Sequence, residues 1–132
     1  MFVKSKVYVV DDEAHLANSI SALLRHEGYA VSTFYDGAEV VEHIPDAAPD
    51  LMITDYSMPK MDGMKLTRWM REHYPECRVI MFSANLHLLP RKASGLPDNP
   101  HFMMLAKPLS PASLVAAVKA MTEDAYERVK VG

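Results

Sequence analysis

The 132-residue chain has the length of one domain, and 49% of its residues are apolar, which is enough for one hydrophobic core. Its formal net charge of −3 argues against direct nucleic-acid binding, and no apolar run is long enough to span a membrane. The single cysteine, Cys77, cannot form an internal disulfide, which is typical of a cytoplasmic protein.

The first predicted unit is a strand followed by a helix. The segment from Lys6 to Val10 is β-branched and almost wholly apolar, which favours a strand. We expect Asp12 to cap the next helix and Gly28 to end it. The apolar residues of this helix recur at helical spacing and share one face: Leu16, Ile20, Leu23 and Leu24.

The second unit repeats this order. Ala30 to Phe34 is the second predicted strand. Asp36 is expected to cap the helix that follows, because Glu39 stands three residues later, as in a capping box.

The third predicted strand, Leu51 to Thr54, is short and apolar, and Asp55 follows it directly. A loop with Pro59 and Gly63 precedes the third helix. Three residues of that helix are expected to face the core: Leu66, Trp69 and Met70.

Two more strands, Arg78 to Phe82 and Phe102 to Ala106, complete the set. Three prolines and a glycine between them leave room for only a short or irregular fourth helix. Ser110 and Pro111 are expected to open the last helix, with proline at its first position. The buried stripe of that helix is Leu114, Val115, Val118 and Met121.

This order of elements predicts the fold class. Strands without polar–apolar alternation are buried on both faces, so five of them separated by helices indicate a parallel sheet covered on both sides. Right-handed crossovers then give a doubly wound α/β fold. In such folds, ligands bind beyond the carboxyl ends of the strands.

Polar residues fall at these strand ends. Asp11 and Asp12 follow strand one, Asp55 follows strand three, Ser83 follows strand four and Lys107 follows strand five. Crowded carboxylates need a cation, and a hard ion with oxygen ligands, preferably Mg²⁺, suits them. An Mg²⁺ ion, an ammonium and a hydroxyl around one exposed carboxylate form a phosphoryl-transfer site, with Asp55 as the nucleophile.

Each residue alone has an ordinary alternative role. Asp12 and Ser83 are suitable helix caps, Asp55 is a common residue before a turn, and Lys107 is a typical solvated loop lysine. Four separate strand ends that supply complementary groups favour the functional interpretation.

The same residues carry a family resemblance from about Lys6 to Met121. The chain resembles the receiver domains of two-component response regulators, and especially the single-domain chemotaxis-type regulators. The motifs are Val9-Val10-Asp11-Asp12-Glu13, Leu51-Met52-Ile53-Thr54-Asp55-Tyr56-Ser57-Met58-Pro59-Lys60-Met61-Asp62-Gly63, Phe82-Ser83-Ala84 and Leu105-Ala106-Lys107-Pro108. The resemblance implies a flavodoxin-like strand order, 2-1-3-4-5.

The resemblance also implies roles for the site residues. Asp55 would accept the phosphoryl group from a histidine kinase or phosphotransfer protein. Asp11 and Asp12 would hold Mg²⁺, helped by Asp55 and by the backbone carbonyl of Ser57.

The remaining implied roles concern the phosphoryl oxygens and the loops. Ser83 and the amide of Ala84 would bind the phosphoryl oxygens, Lys107 would pair with the phosphoryl group, and the Lys107–Pro108 bond would be cis. Gly63 and Pro59 would shape the loop beneath the site.

The chain departs from the family pattern at one position. The family has a switch aromatic in strand five, three residues before the lysine, and Met104 stands there in this chain. Phe102 shares the face of Met104 but is displaced along the strand. The output surface is therefore expected to differ, with a mobile segment before strand five.

Residues 1–122 are expected to form the receiver domain, and residues 123–132 to extend the last helix or begin a linker to an unknown target or output domain. The protein is expected to catalyse only its own phosphorylation and dephosphorylation. One alternative is a Mg²⁺-dependent phosphatase or phosphotransferase with an aspartyl nucleophile, but Asp55-Tyr56-Ser57 lacks the Asp-x-Asp pattern. The other is a flavodoxin-like cofactor-binding module, but the loop after strand one is acidic and would repel phosphate.

Overall fold

A computed structural model describes residues 5–46, 48–84 and 101–131 of the chain, with the side chains of 46 and 123–131 outside this description. Its five parallel strands are β1 (Lys6–Val10), β2 (Ala30–Phe34), β3 (Leu51–Asp55), β4 (Arg78–Ser83) and β5 (Phe102–Ala106). Its helices are α1 (Ala14–His26), α2 (Gly37–His43), α3 (Gly63–His73) and α4 (Pro111–Val131), with a 3-10 turn at Ile44–Asp46.

The strand order is β2-β1-β3-β4-β5, as the family resemblance implies. All five predicted strands are confirmed, and β3 and β4 each run one residue further than predicted, to Asp55 and Ser83. The expected irregular fourth helix lies outside the described residues. None of the described helices has an apolar stretch long enough to cross a membrane.

Successive residues of each central strand enter opposite cores, which explains why these strands are apolar along most of their length. The core beneath α1 and α4 includes Val7, Val9, Ile20, Leu24, Ile53, Phe82, Leu114 and Val118. The core beneath α2 and α3 includes Tyr8, Val10, Val40, Met52, Leu66, Met70 and Val79. Trp69, predicted to face inward, is only half-buried and stacks on His73 with ring centroids 4.4 Å apart.

Helix ends follow local capping rules with one exception. Asp36 caps α2 by accepting the backbone N–H of Glu39 at 2.8 Å, as predicted. Gly28 adopts a positive φ of 100° just past α1, where a residue with a Cβ would be strained. The prediction that Asp12 caps α1 is wrong, because Glu13 occupies the N-cap position and makes no side-chain capping bond.

Candidate functional site

The carboxyl edge of the sheet gathers the polar residues that the sequence placed at strand ends. Asp55 ends β3 and Ser83 ends β4. The backbone N–H of Lys107, just after β5, donates to the carbonyl of Ser83 at 3.0 Å. The backbone N–H of Asp11, just after β1, donates to the carbonyl of Phe34 at 3.1 Å. Main-chain hydrogen bonds between neighbouring strands therefore hold the site together.

Three carboxylates form an acidic cluster at this edge. Asp11, Asp12 and Asp55 each offer a carboxylate oxygen, and these three oxygens lie within 4.8 Å of one another. Asp12 is exposed, whereas Asp11 is fully buried and Asp55 is 5% exposed. Such a group of oxygens has the composition of a site for a hard divalent cation.

Asp11 is the most constrained member of the cluster. Its Oδ1 accepts the backbone N–H of Glu13 at 2.9 Å, while its Oδ2 is buried without a hydrogen-bond partner among the described residues. Burial raises the pKa of Asp11 to about 6, helped by the charge of Asp55 and opposed by the Glu13 N–H. A buried carboxylate oxygen without a donor is costly for a folded protein, and a bound cation would satisfy it.

The pKa of Asp55 is subject to two opposite effects. Burial raises its pKa above the ordinary value. The ammonium of Lys107, 3.4 Å from Oδ1, and the backbone N–H of Ser57 both lower the pKa and so favour the ionised form. The result is a carboxylate held beside a cation at the edge of the sheet, which is the arrangement of a nucleophile for phosphoryl transfer.

The Lys107 ammonium has an attractive contact besides its ion pair with Asp55. Its Nζ lies 5.1 Å from the centroid of the Phe82 ring, within the range of a cation–π interaction. The following Lys107–Pro108 peptide bond is cis, the geometry that the resemblance implies. Phe82 has no predicted role of its own, and its signal in the sequence is an aromatic residue directly before a strand-end serine.

The remaining residues expected at the site lie at the end of β4, in the turn after it and in the loop after β3. Ser83 is buried at the end of β4, and Ala84 is exposed in the turn that follows. Ser57, whose carbonyl is the expected cation ligand, is exposed in the loop after β3.

The loop after β3 packs closely under Asp55. A Cβ atom at Gly63 would overlap the backbone carbonyl oxygen of Asp55, so glycine is required there. The N–H of Met61 donates to the carbonyl of Pro59 at 2.8 Å, and Lys60 between them has a φ of 67°. Such a three-residue turn with a positive φ is rare at a residue with a side chain, and it reverses the chain within the loop after β3.

The two candidate switch residues lie in β5. Phe102 and Met104 are both half-buried, and their Cα partners in β4 are Val79 and Met81. Phe102 packs against the core beneath α2 and α3. Strand alternation places Met104 on the same face, as predicted.

A mostly apolar groove of about 590 Å³ opens beside the site. Its lining includes Ala84 and Lys107, whose Nζ lies 3.4 Å from Oδ1 of Asp55. Leu16 and Leu23 of α1 line this open groove, and for that reason they are only half-buried. The other apolar lining residues are Ile20, Pro108, Leu109, Pro111 and Leu114.

Comparisons with known proteins agree with this geometry. The family model for the response regulator receiver domain matches residues 7–119. The chain is 30% identical over 128 residues to the regulatory protein VanRc of Enterococcus gallinarum, an alignment that covers 96% of this chain and 53% of the relative. The chain thus spans about half the length of this curated relative.

Solved structures give the same result. The fold is similar to chemotaxis protein CheY4 of Vibrio cholerae, with a TM-score of 0.78 and 27% identity over 90% of this chain and 99% of that chain. It is also similar to the BeF3-activated DrrB receiver domain, with a TM-score of 0.75 and 26% identity over 92% of this chain and 99% of that chain.

Proposed function

This chain belongs to the response regulator receiver family of two-component systems, whose members accept phosphoryl groups, and we propose that Asp55 is its phosphoacceptor. One observation carries this assignment. The Asp55 carboxylate lies 3.4 Å from the Lys107 ammonium and within 4.8 Å of two further carboxylates at the edge where such sheets bind ligands.

The proposed reaction is a single displacement at phosphorus. A carboxylate oxygen of Asp55 attacks the phosphorus atom, and a new P–O bond forms. The bond between phosphorus and the donor's leaving group breaks, and the leaving group departs with the electron pair. Lys107 offsets negative charge on the transferred phosphoryl oxygens.

We propose that the acidic cluster holds Mg²⁺. Asp12, Asp55 and the carbonyl of Ser57 would bind the ion directly, with Asp11 contributing mainly through water. The partnerless Oδ2 of Asp11 and the composition of the cluster support this choice. When bound, Mg²⁺ supplies positive charge that offsets the charge of the phosphoryl oxygens.

Ser83 and the amide of Ala84 would bind the phosphoryl oxygens after transfer and couple phosphorylation to conformation. Met104 would transmit the change poorly, because an unbranched side chain has several rotamers of similar energy. Ser83→Ala should leave phosphorylation measurable but reduce the chemical-shift changes that follow it. Unchanged phosphorylation-induced shifts in the variant would contradict this role.

Membership of the family indicates the general classes of partner. Receiver domains interact with kinases and with output partners. For this chain we propose a cytoplasmic location, a histidine kinase or phosphotransfer protein as the donor, and a protein target or output domain downstream.

We propose that the donor protein docks on the apolar groove, because the groove is lined by Lys107 and Ala84, which are also proposed to bind the phosphoryl group. Leu23→Asp in the groove wall should slow transfer from the protein donor without slowing transfer from a small phosphodonor. Equal slowing with both donors would contradict this placement.

The test of the acceptor is incubation with Mg²⁺ and acetyl phosphate, read by intact mass. We expect the wild type to gain one phosphoryl group and Asp55→Asn to gain none. Asp62→Asn is the matched control, because Asn caps α3 as well as Asp62 does and the variant should be phosphorylated normally. Equal phosphorylation of wild type and Asp55→Asn would refute the assignment.

Incubation with unrelated phosphomonoesters in place of acetyl phosphate addresses turnover. We propose that the protein catalyses only its own phosphorylation and dephosphorylation. Rapid release of inorganic phosphate from several unrelated phosphomonoesters would instead identify a phosphatase.

A further inference from the structure

Phe82 places a rigid aromatic ring beneath the ammonium of Lys107. The residue is fully buried at the penultimate position of β4 and belongs to the core beneath α1 and α4. The Lys107 Nζ lies 5.1 Å from the ring centroid, while the same Nζ lies 3.4 Å from Oδ1 of Asp55. The ammonium therefore has two attractive neighbours, the aromatic ring and the carboxylate.

Strand register determines this arrangement. Phe82 is the Cα partner of Asp55 in β3 and of Leu105 in β5, so it lies between the strand that carries the nucleophile and the strand that leads to the lysine. The hydrogen bond from the Lys107 N–H to the Ser83 carbonyl fixes the backbone from which the lysine side chain starts.

The backbone alone does not fix the ammonium. A lysine side chain is a flexible four-carbon stem, and that of Lys107 is 21% exposed. An ion pair at a partly exposed site is a weak restraint. An aromatic face offers negative potential to a cation, and this attraction strengthens as water is excluded. The buried ring of Phe82 supplies such a face.

We propose that Phe82 is a positioning residue that holds the Lys107 ammonium at Asp55 for phosphoryl transfer. The proposal rests on the function proposed above. Phe82 touches neither the donor nor the reacting atoms and acts only through Lys107.

Stepwise fluorination of the Phe82 ring tests this idea in the full chain. One, three or five fluorine atoms weaken the negative face of the ring while changing its shape little. We expect the rate of phosphorylation by acetyl phosphate to fall progressively, by about three- to tenfold with the fully fluorinated ring. The nitrogen-15 resonance of the Lys107 ammonium, measured without Mg²⁺ or donor, should shift in the same order.

Three further variants separate positioning from packing. Fluorination of Phe34, a buried ring that packs on Tyr8 with centroids 4.7 Å apart, should leave the rate unchanged. In a Lys107→Met background, fluorination of Phe82 should have no further effect on the rate. Phe82→Leu should slow the reaction like the fully fluorinated ring, provided that its folding is confirmed.

The outcomes distinguish this inference from its premise. A rate and a Lys107 resonance that are both independent of fluorination would overturn the role of Phe82. A fluorination effect that persists in the Lys107→Met background would also overturn it, because Phe82 would then act through packing. A Lys107→Met variant as fast as the wild type would refute the role of Lys107 in the proposed function. The resonance would still show whether Phe82 positions the ammonium.

Discussion

The buried carboxyl of Asp11 should lower the stability of the metal-free domain by more at neutral pH than in acid. Its ordinary pKa of 3.8 is raised to about 6 in the folded protein, mainly by burial. The folded state therefore binds this proton more tightly than the unfolded state does. The penalty for ionising Asp11 is absent below the unfolded pKa, grows as pH rises between the two values, and is complete above about pH 6.

The size of the stability change follows from the difference between the unfolded and folded pKa values of Asp11. A difference from 3.8 to about 6 corresponds to about 3 kcal/mol at 1.36 kcal/mol for each pKa unit. Asp11→Asn removes the charge but keeps an oxygen that can accept the Glu13 N–H. We therefore expect Asp11→Asn to raise the free energy of unfolding by about 3 kcal/mol above about pH 7, and by less than about 1 kcal/mol near pH 4.

The assay is urea denaturation across this pH range, without metal and with Mg²⁺. Glu42→Gln is the matched control, because it removes one exposed negative charge far from the acidic cluster in sequence and should change stability little. Mg²⁺ should stabilise the wild type by mass action and Asp11→Asn much less, so the ion should reduce or reverse the difference between them.

Two results would refute this reasoning. If Asp11→Asn were no more stable than the wild type near neutral pH without metal, burial of the charge would carry no penalty. If its gain were the same near pH 4 as near pH 7, the gain would not come from the titration of Asp11.

Three further predictions concern the site and its surroundings. Gly63→Ala should destabilise the domain by about 1–3 kcal/mol in urea denaturation, because the new Cβ would meet the Asp55 carbonyl oxygen; an unchanged midpoint would contradict the close approach. Lys60→Gly should stabilise the domain by about 1 kcal/mol, because glycine adopts the φ of 67° without strain, and a lower melting temperature would argue against that strain. Cys77 should react with a thiol reagent only after unfolding, because burial raises its pKa to about 12, and labelling as fast in buffer as in urea would disprove this.

The sequence alone determined the sheet and the edge that carries the site. Strands and helices can be distinguished in the sequence because their apolar residues recur with different periods. Apolar strands that alternate with amphipathic helices then specify a parallel sheet with both faces covered. Once the strands are parallel, their carboxyl ends share one edge. Asp55, Ser83 and Lys107 could therefore be brought together from their positions along the chain.

The sequence could not distinguish two adjacent aspartates. Asp11 is buried, and one of its oxygens has no hydrogen-bond partner in the part of the chain that the structure describes, whereas Asp12 is exposed. The expected cap at Asp12 was wrong because the Asp11 side chain accepts the Glu13 N–H at the start of α1. Which carboxylate turns inward depends on how α1 packs against the sheet.

Contacts between separate elements depended entirely on the tertiary structure. The ring of Phe82 lies under Lys107 because β4 and β5 pair in one register, and Gly63 meets the Asp55 carbonyl because the loop after β3 folds under its own strand. Sequence periodicity specifies the direction in which a side chain leaves its own element. Packing of strands and loops against each other sets the distances between atoms of different elements. It thereby decides how deeply Asp11 is buried, and so its pKa, and where the Lys107 ammonium lies.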